Sequence, residues 1–213
     1  MSEFSTRRVM MVDTQVRPSD VTKFPIIAAM LVVPREIYLP AAMREVAYVG
    51  LNIDIADRRV VLEARSLAKM LDILDIQPGE RVLDLGCGFG YSSAVIAEIG
   101  GEVVGVEEDT AMAADARATL SGKATVIIGP IVAGAITQGP YDVMILQGAV
   151  ETVPDALLTQ LKEGGRIAAI FMSGALGTAK VGYKLDGEVS WRPIFNATAP
   201  ILPGFEAKRG FVL

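Results

Sequence analysis

The sequence predicts an α/β fold: a mainly parallel sheet with helices on both faces, finished by an antiparallel C-terminal hairpin and preceded by an N-terminal helical extension. Three observations predict it. Residues 81–109 read as apolar strand, glycine-rich turn, helix and second strand in immediate succession. From Arg81 onward strand and helix patterns alternate, which implies parallel strands buried on both faces. After Ser173 the period becomes two: residues 179–185 and 189–195 alternate around Asp186-Gly187, the strongest short-range hairpin signal in the chain.

In chain order, residues 1–75 are helical in pattern. Asp20 is placed to cap a helix carrying Phe24, Ile27, Ala28 and Leu31, which Pro34 ends before Pro40 punctuates again. A second helix is expected over 62–74, with Leu67, Met70, Leu71 and Leu74 at helical spacing. Gln77-Pro78-Gly79 turns the chain into the first strand. Strands are expected at 81–85, 102–107, 124–128, 141–147 and 165–171, and helices at 91–99, 110–120 and 154–162. The division is an N-terminal helical extension, 1–75, and a nucleotide-binding-type domain, 76–213, in one compact unit.

Composition narrows the function. The chain has 213 residues, enough to bury roughly 70% of its unfolded surface without a staple. No uninterrupted apolar run reaches the roughly 18 residues of a membrane span, and the N-terminus lacks the apolar core of a signal peptide. The single cysteine, Cys87, has no internal partner, so a reducing cytoplasm is the expected compartment. Net charge is −5 and no Lys/Arg block occurs, which argues against nucleic acid as the main partner. There is no histidine, which excludes Ser-His-Asp and Cys-His machinery and disfavours a zinc site; no metal is expected.

The glycine turn carries the chemistry. Gly86, Gly88 and Gly90 form G-x-G-x-G between a strand and a helix that opens at Tyr91, where a ligand can approach the main chain without meeting a Cβ. Glu107 ends the next strand 17 residues after Gly90, close to the usual spacing of a carboxylate that grips ribose hydroxyls. A dinucleotide site seats a pyrophosphate here, but Asp84 would repel one. An acidic group suits a cationic ligand carrying an ammonium and a sulfonium. Asp84-Leu85-Gly86-Cys87-Gly88-Phe89-Gly90-Tyr91 resembles motif I of the class I S-adenosyl-L-methionine methyltransferases, whose fold is Rossmann-like. That resemblance implies S-adenosyl-L-methionine as cofactor and S-adenosyl-L-homocysteine as product. Leu85, Gly86, Cys87, Gly88, Gly90 and Tyr91 are then expected around the methionyl end, Asp84 on the ammonium side and Glu107 on the ribose, with Glu108 the weaker candidate. Ile128, Gly129 and Pro130 are expected to flank the adenine. Gln147 and Gly148 are expected at the transfer site, because ligands of open α/β sheets sit at the carboxyl ends of strands.

Several separated segments together resemble the protein-L-isoaspartate O-methyltransferase family: Met11-Val12-Asp13-Thr14-Gln15-Val16-Arg17; Ala29-Met30 followed by Val33-Pro34-Arg35-Glu36-Ile37-Tyr38-Leu39-Pro40; Ala47-Tyr48; Tyr141-Asp142; Gly148-Ala149; Val153-Pro154; and Gln160-Leu161-Lys162-Glu163-Gly164-Gly165-Arg166. The resemblance implies methyl transfer to a carboxylate, the isoaspartyl group of a protein or peptide. A carboxylate with pKa near ~4 is ionised at neutral pH and needs no general base, so the lack of histidine is no obstacle. Two departures bear on the acceptor and the adenine. The family's Q-T-I-S-x-P-H falls on residues 59–65, so Leu62 replaces the serine, Ala64 the proline and Arg65 the histidine. The family's G-D after the third strand is Gly129-Pro130. Arg59 and Arg65 become candidates to hold an acceptor carboxylate, since guanidinium does so bidentately, and Ser66 is the nearest hydroxyl. An isoaspartyl peptide is accordingly expected to be a poor substrate. Leu146-Gln147-Gly148-Ala149 differs from the [DN]-P-P-[YF] of base methylases. Another protein or small-molecule acceptor, or a non-catalytic protein that binds S-adenosyl-L-methionine for regulation, are the other readings the residues leave open, and they leave the oligomeric state open too.

Overall fold

The computed structural model describes residues 3–207. The N-terminal part holds α1 (Glu3–Met11), one turn of π-helix, α2 (Phe24–Val32) and short 3-10 turns, then a hairpin of β1 (Ile53–Ala56) and β2 (Arg59–Val61). There follow α3 (Ala64–Leu74), β3 (Arg81–Leu85), α4 (Tyr91–Ile99), β4 (Glu102–Glu107), α5 (Thr110–Leu120), β5 (Thr125–Ile128), β6 (Tyr141–Val150), α6 (Asp155–Leu158), β7 (Leu161–Ser173), β8 (Leu176–Leu185) and β9 (Glu188–Asn196).

The main sheet has the order β5-β4-β3-β6-β7-β8-β9. β3 to β7 run parallel, and β8 and β9 close the edge antiparallel. β1 and β2 pair only with each other and form a separate two-stranded sheet. Both faces of the central strands β3, β4 and β6 are buried, as parallel strands require. Val82, Val143 and Ile145 point into one core, with α2, α3, α4 and α5; Leu83, Leu85, Met144 and Leu146 point into the other. The first core runs without a break from Met11 and Met30 to Val95 and Ala168, so the described N-terminal segment up to Leu74 and the sheet share one apolar interior.

Three expectations needed adjusting. α2 is not capped by Asp20, which sits at φ 64 beyond a 3-10 turn; Lys23 occupies the cap position, with Pro25 in the first turn supplying the preset backbone angle. α3 begins at Ala64 rather than residue 62, because Arg59–Val61 is strand. The helix expected over 154–162 is only Asp155–Leu158. Gln160 turns inward there, its amide accepting from Ala135 N (3.0 Å) and donating to Ala133 O (2.9 Å), and the chain leaves as β7. The second face is therefore covered by this short helix, two 3-10 turns around Ile131 and Ile136, and the C-terminal segment carrying Leu202 and Phe205. The C-terminal hairpin stands as read: Asp186 and Gly187 take φ 53 and 81, the two positive angles of a tight hairpin turn, and their amides donate to Glu163.

Candidate functional site

The G-x-G-x-G turn joins the carboxyl end of β3 to α4. Gly86 and Gly88 adopt φ 76 and 56, angles an L side chain rarely takes, and the turn is drawn against β4 by Gly86 N and Cys87 N donating to Val106 O. Asp84 lies beneath it, fully buried. Its Oδ2 accepts from Ser92 Oγ and Ser93 Oγ, both at 2.6 Å, and its Oδ1 accepts from Gln147 Nε2 at 2.8 Å. Burial pushes the Asp84 carboxyl up from its ordinary range, against the lowering effect of these three bonds. The residue thus ties the first turn of α4 to β6 and so fixes the floor of the turn. Ser92 and Ser93, directly after the motif, are the partners the sequence reading missed.

Glu107 ends β4 and is also fully buried. One carboxylate oxygen accepts from Gly88 N at 2.7 Å and the other from Asp109 N at 3.0 Å. Both accept from Arg59, at 2.6 and 2.5 Å, in a bidentate fork; Arg59 Nη2 also donates to Gly86 O at 3.0 Å. Arg59 is 4% exposed, and its Nε has no partner. Burial alone would push its guanidinium down, but the hydrogen bonds and charge of Glu107 outweigh it, so the group is held charged above its ordinary value. Nothing in the sequence signals this pair, whose members are 48 positions apart.

The other candidates separate into groups. Glu108 is exposed, so Glu107 is the residue that faces the turn. Ile128 ends β5 opposite Glu107, and Gly129 and Pro130 follow it at the surface, with Gly129 N donating to Glu107 O at 3.1 Å. Gly148 lies buried under Leu202: a Cβ there would come within 2.6 Å of Leu202 Cγ. Arg65 and Ser66 do not join Arg59. Ser66 donates to Glu63 at 2.7 Å; Arg65 lies 3.7 Å from Glu63 and stacks over the Phe195 ring at 5.4 Å. Glu63 in turn lines a cleft of about 490 Å³ with Asn52, Thr178, Asn196 and Thr198. By contrast the space against the turn, bounded by Ile55, Leu62, Gly88, Tyr91 and Gln147, measures about 10 Å³. That is about one water's room.

Cys87 is 5% exposed, and burial, with the charges of Asp84 and Glu107 nearby, pushes its thiol well above the ordinary range. Thiolate is the reactive form. The folded chain is therefore expected to consume no measurable thiol reagent at pH 8 on a timescale of minutes, and one equivalent at once in denaturant. Rapid labelling of the native protein would show that the turn is open.

Comparison with known proteins agrees with this fold. The profile of the protein-L-isoaspartate(D-aspartate) O-methyltransferase family matches residues 8–190. Protein-L-isoaspartate O-methyltransferase 1 of Rhodopseudomonas palustris (strain HaA2) is 35% identical over 170 residues, 78% of this chain and 69% of that protein. The enzyme of the same name from Syntrophus aciditrophicus is 32% identical over 171 residues, 78% of each. Among solved structures, a protein-L-isoaspartate O-methyltransferase superimposes with TM-score 0.80 at 23% identity, covering 92% of this chain and 66% of that one. A Plasmodium falciparum protein described as a putative member, solved in complex with S-adenosyl-L-homocysteine, gives 0.78 at 16% identity, covering 95% and 99%. Among the described residues no helix is long and apolar enough to cross a membrane. The chain belongs to the protein-L-isoaspartate O-methyltransferase family and carries its Rossmann-like, class I S-adenosyl-L-methionine-dependent methyltransferase fold.

Proposed function

We propose that this protein is an S-adenosyl-L-methionine-dependent O-methyltransferase of the cytoplasm that methylates a carboxylate, with the isoaspartyl group of a protein or peptide as the acceptor class. The observation that carries this is Glu107: a buried carboxylate at the end of β4, aimed at a glycine turn whose φ angles exclude side chains. The donor set fits the cofactor once the Arg59 fork leaves Glu107: Glu107 for the ribose hydroxyls, the Gly86–Gly90 main chain for the methionyl part, and residues 128–130 for the adenine. The bound cofactor supplies an activated methyl group.

The chain's own residues do the remainder. An ionised acceptor needs no base, so the protein's work is positioning and exclusion of water. The cleft beside Glu63 and Asn196 is the acceptor side in this reading, with Arg65 as the cation at its edge. Leu62 is 1% exposed and offers no hydroxyl, so an acceptor group that the family's serine would hydrogen-bond stays unpaired here, at a cost of about 1–3 kcal/mol.

Transfer of labelled methyl from S-adenosyl-L-methionine to an isoaspartyl peptide and to a panel of small carboxylates, with calorimetry of cofactor binding alongside, tests this. Both S-adenosyl-L-methionine and S-adenosyl-L-homocysteine should bind, while NAD should not. Isoaspartyl peptide should be methylated slowly, and Arg65→Ala should lower turnover at least tenfold with cofactor affinity unchanged. Arg65→Lys should recover only part, because an ammonium lacks the bidentate fork. Response to NAD alone would overturn the cofactor assignment. Efficient methylation indifferent to both substitutions would overturn the role of Arg65.

A further inference from the structure

The cofactor site is closed by the protein itself. Glu107, the carboxylate a ribose would use, is already saturated by Arg59, Gly88 N and Asp109 N. Ile55 of the same hairpin packs on the turn, its Cδ1 only 3.1 Å from where a Cβ of Gly88 would stand. The remaining space of about 10 Å³ compares with the roughly 300 Å³ or more of a small-molecule site.

The closing element is a sheet of its own. β1 and β2 hydrogen-bond to each other and to no strand of the main sheet. A lone two-stranded hairpin is marginal in water, so its place depends on what it touches. Ile53 and Val60 anchor it in the main core, with Ile55 and Val61 against that core; its polar ties are the Arg59 fork, an ion pair at the tip from Arg58 to Glu206, and Asn52 at its base, whose Nδ2 donates to Thr198 O at 2.8 Å and whose Oδ1 accepts from Glu63 N at 2.9 Å. Arg58 and Glu206 are each 45% exposed in their side chains, so the tip latch is open to solvent.

We propose that the β1–β2 hairpin is an intramolecular plug of the cofactor site, pinned by Arg59 on Glu107, and that S-adenosyl-L-methionine enters only when the hairpin lifts and the ribose hydroxyls replace the guanidinium. This rests on the cofactor reading given above. Cofactor and Arg59 compete for the same two oxygens, so the apparent affinity is the intrinsic affinity multiplied by the fraction of molecules with the hairpin lifted.

The test uses the full chain, with S-adenosyl-L-homocysteine as probe, calorimetry for affinity and hydrogen exchange for the hairpin. Arg59→Gln should bind at least tenfold more tightly than wild type, and Arg58→Ala or Glu206→Ala, which only release the tip, about threefold more tightly. In the wild type the probe should strip protection from amides 53–61 while protecting those of 86–90. Should Arg59→Gln fail to fold, the two tip variants and the exchange pattern decide. Weaker binding by a folded Arg59→Gln, or wild-type binding with 53–61 unchanged, overturns the plug and leaves the cofactor reading standing. No binding by wild type or any folded variant at millimolar probe overturns the cofactor reading, and the plug with it.

Discussion

Glu107→Ala is expected to cost about 3–5 kcal/mol of folding stability in the absence of any ligand, measured by urea unfolding. The reason is the partner left behind. Arg59 is 4% exposed and its guanidinium is held charged chiefly by Glu107 against the effect of burial. With the carboxylate gone, only the bond to Gly86 O remains in the site, together with an Nε that has no partner already. Gly88 N and Asp109 N lose their acceptor as well. Breaking one side of a buried pair is far costlier than replacing both sides by neutral groups of similar shape. Arg59→Met combined with Glu107→Gln should therefore recover most of the loss. A Glu107→Ala protein within about 1 kcal/mol of wild type would show that the pair is solvated in solution. The same substitution removes the ribose acceptor and the Arg59 pin together, so cofactor binding should weaken by less than the about 1.5–3 kcal/mol of the lost charge-assisted hydrogen bonds, and Glu108→Ala should change it little, because Glu108 faces solvent.

What was legible in the sequence and what was not divide along a physical line. β3, the turn, α4 and β4 were read to within a residue because their signals are local: apolar runs, three glycines, and an acid at a strand end. The Asp186-Gly187 hairpin was legible for the same reason. Helix 154–162 failed because Gln160 has a buried tertiary partner at Ala135, 25 positions away, which propensity does not see. The sequence makes Arg59 a candidate for the acceptor carboxylate; its neighbour in this structure is Glu107, the carboxylate proposed for the cofactor ribose, reached by a hairpin that a helical pattern over 1–75 does not contain. Closure of the site by Ile55 and Leu202 was equally invisible, since an apolar residue in a short strand or a C-terminal tail carries no mark of what it will cover.

The same limit hides Arg35. Val33-Pro34-Arg35-Glu36 resembles the family's segment, but a lone arginine after a proline gives no hint of burial, and charged residues are almost never fully buried unless paired. Here Arg35 is 1% exposed and meets no carboxylate. Its Nε donates to Ala47 O at 2.7 Å and its Nη2 to Leu62 O at 2.8 Å, and its guanidinium lies 4.7 Å from the centre of the Tyr91 ring. Three segments far apart in sequence are thus held by one side chain: the 3-10 region at 47, the entry to α3 at 62, and the first residue of α4. Burial pushes its guanidinium below the ordinary value, with nearby Tyr91 acting in the opposite direction. Arg35→Ala should cost about 3–5 kcal/mol, as a large buried side chain leaves a cavity and two buried carbonyls lose their donor. Arg35→Met should be less damaging, because it refills much of the volume while leaving both carbonyls unpaired. Urea unfolding of the two variants separates the terms: equal losses would assign the whole effect to the hydrogen bonds, and a loss below about 1 kcal/mol for Arg35→Ala would mean that the site collapses or hydrates without penalty.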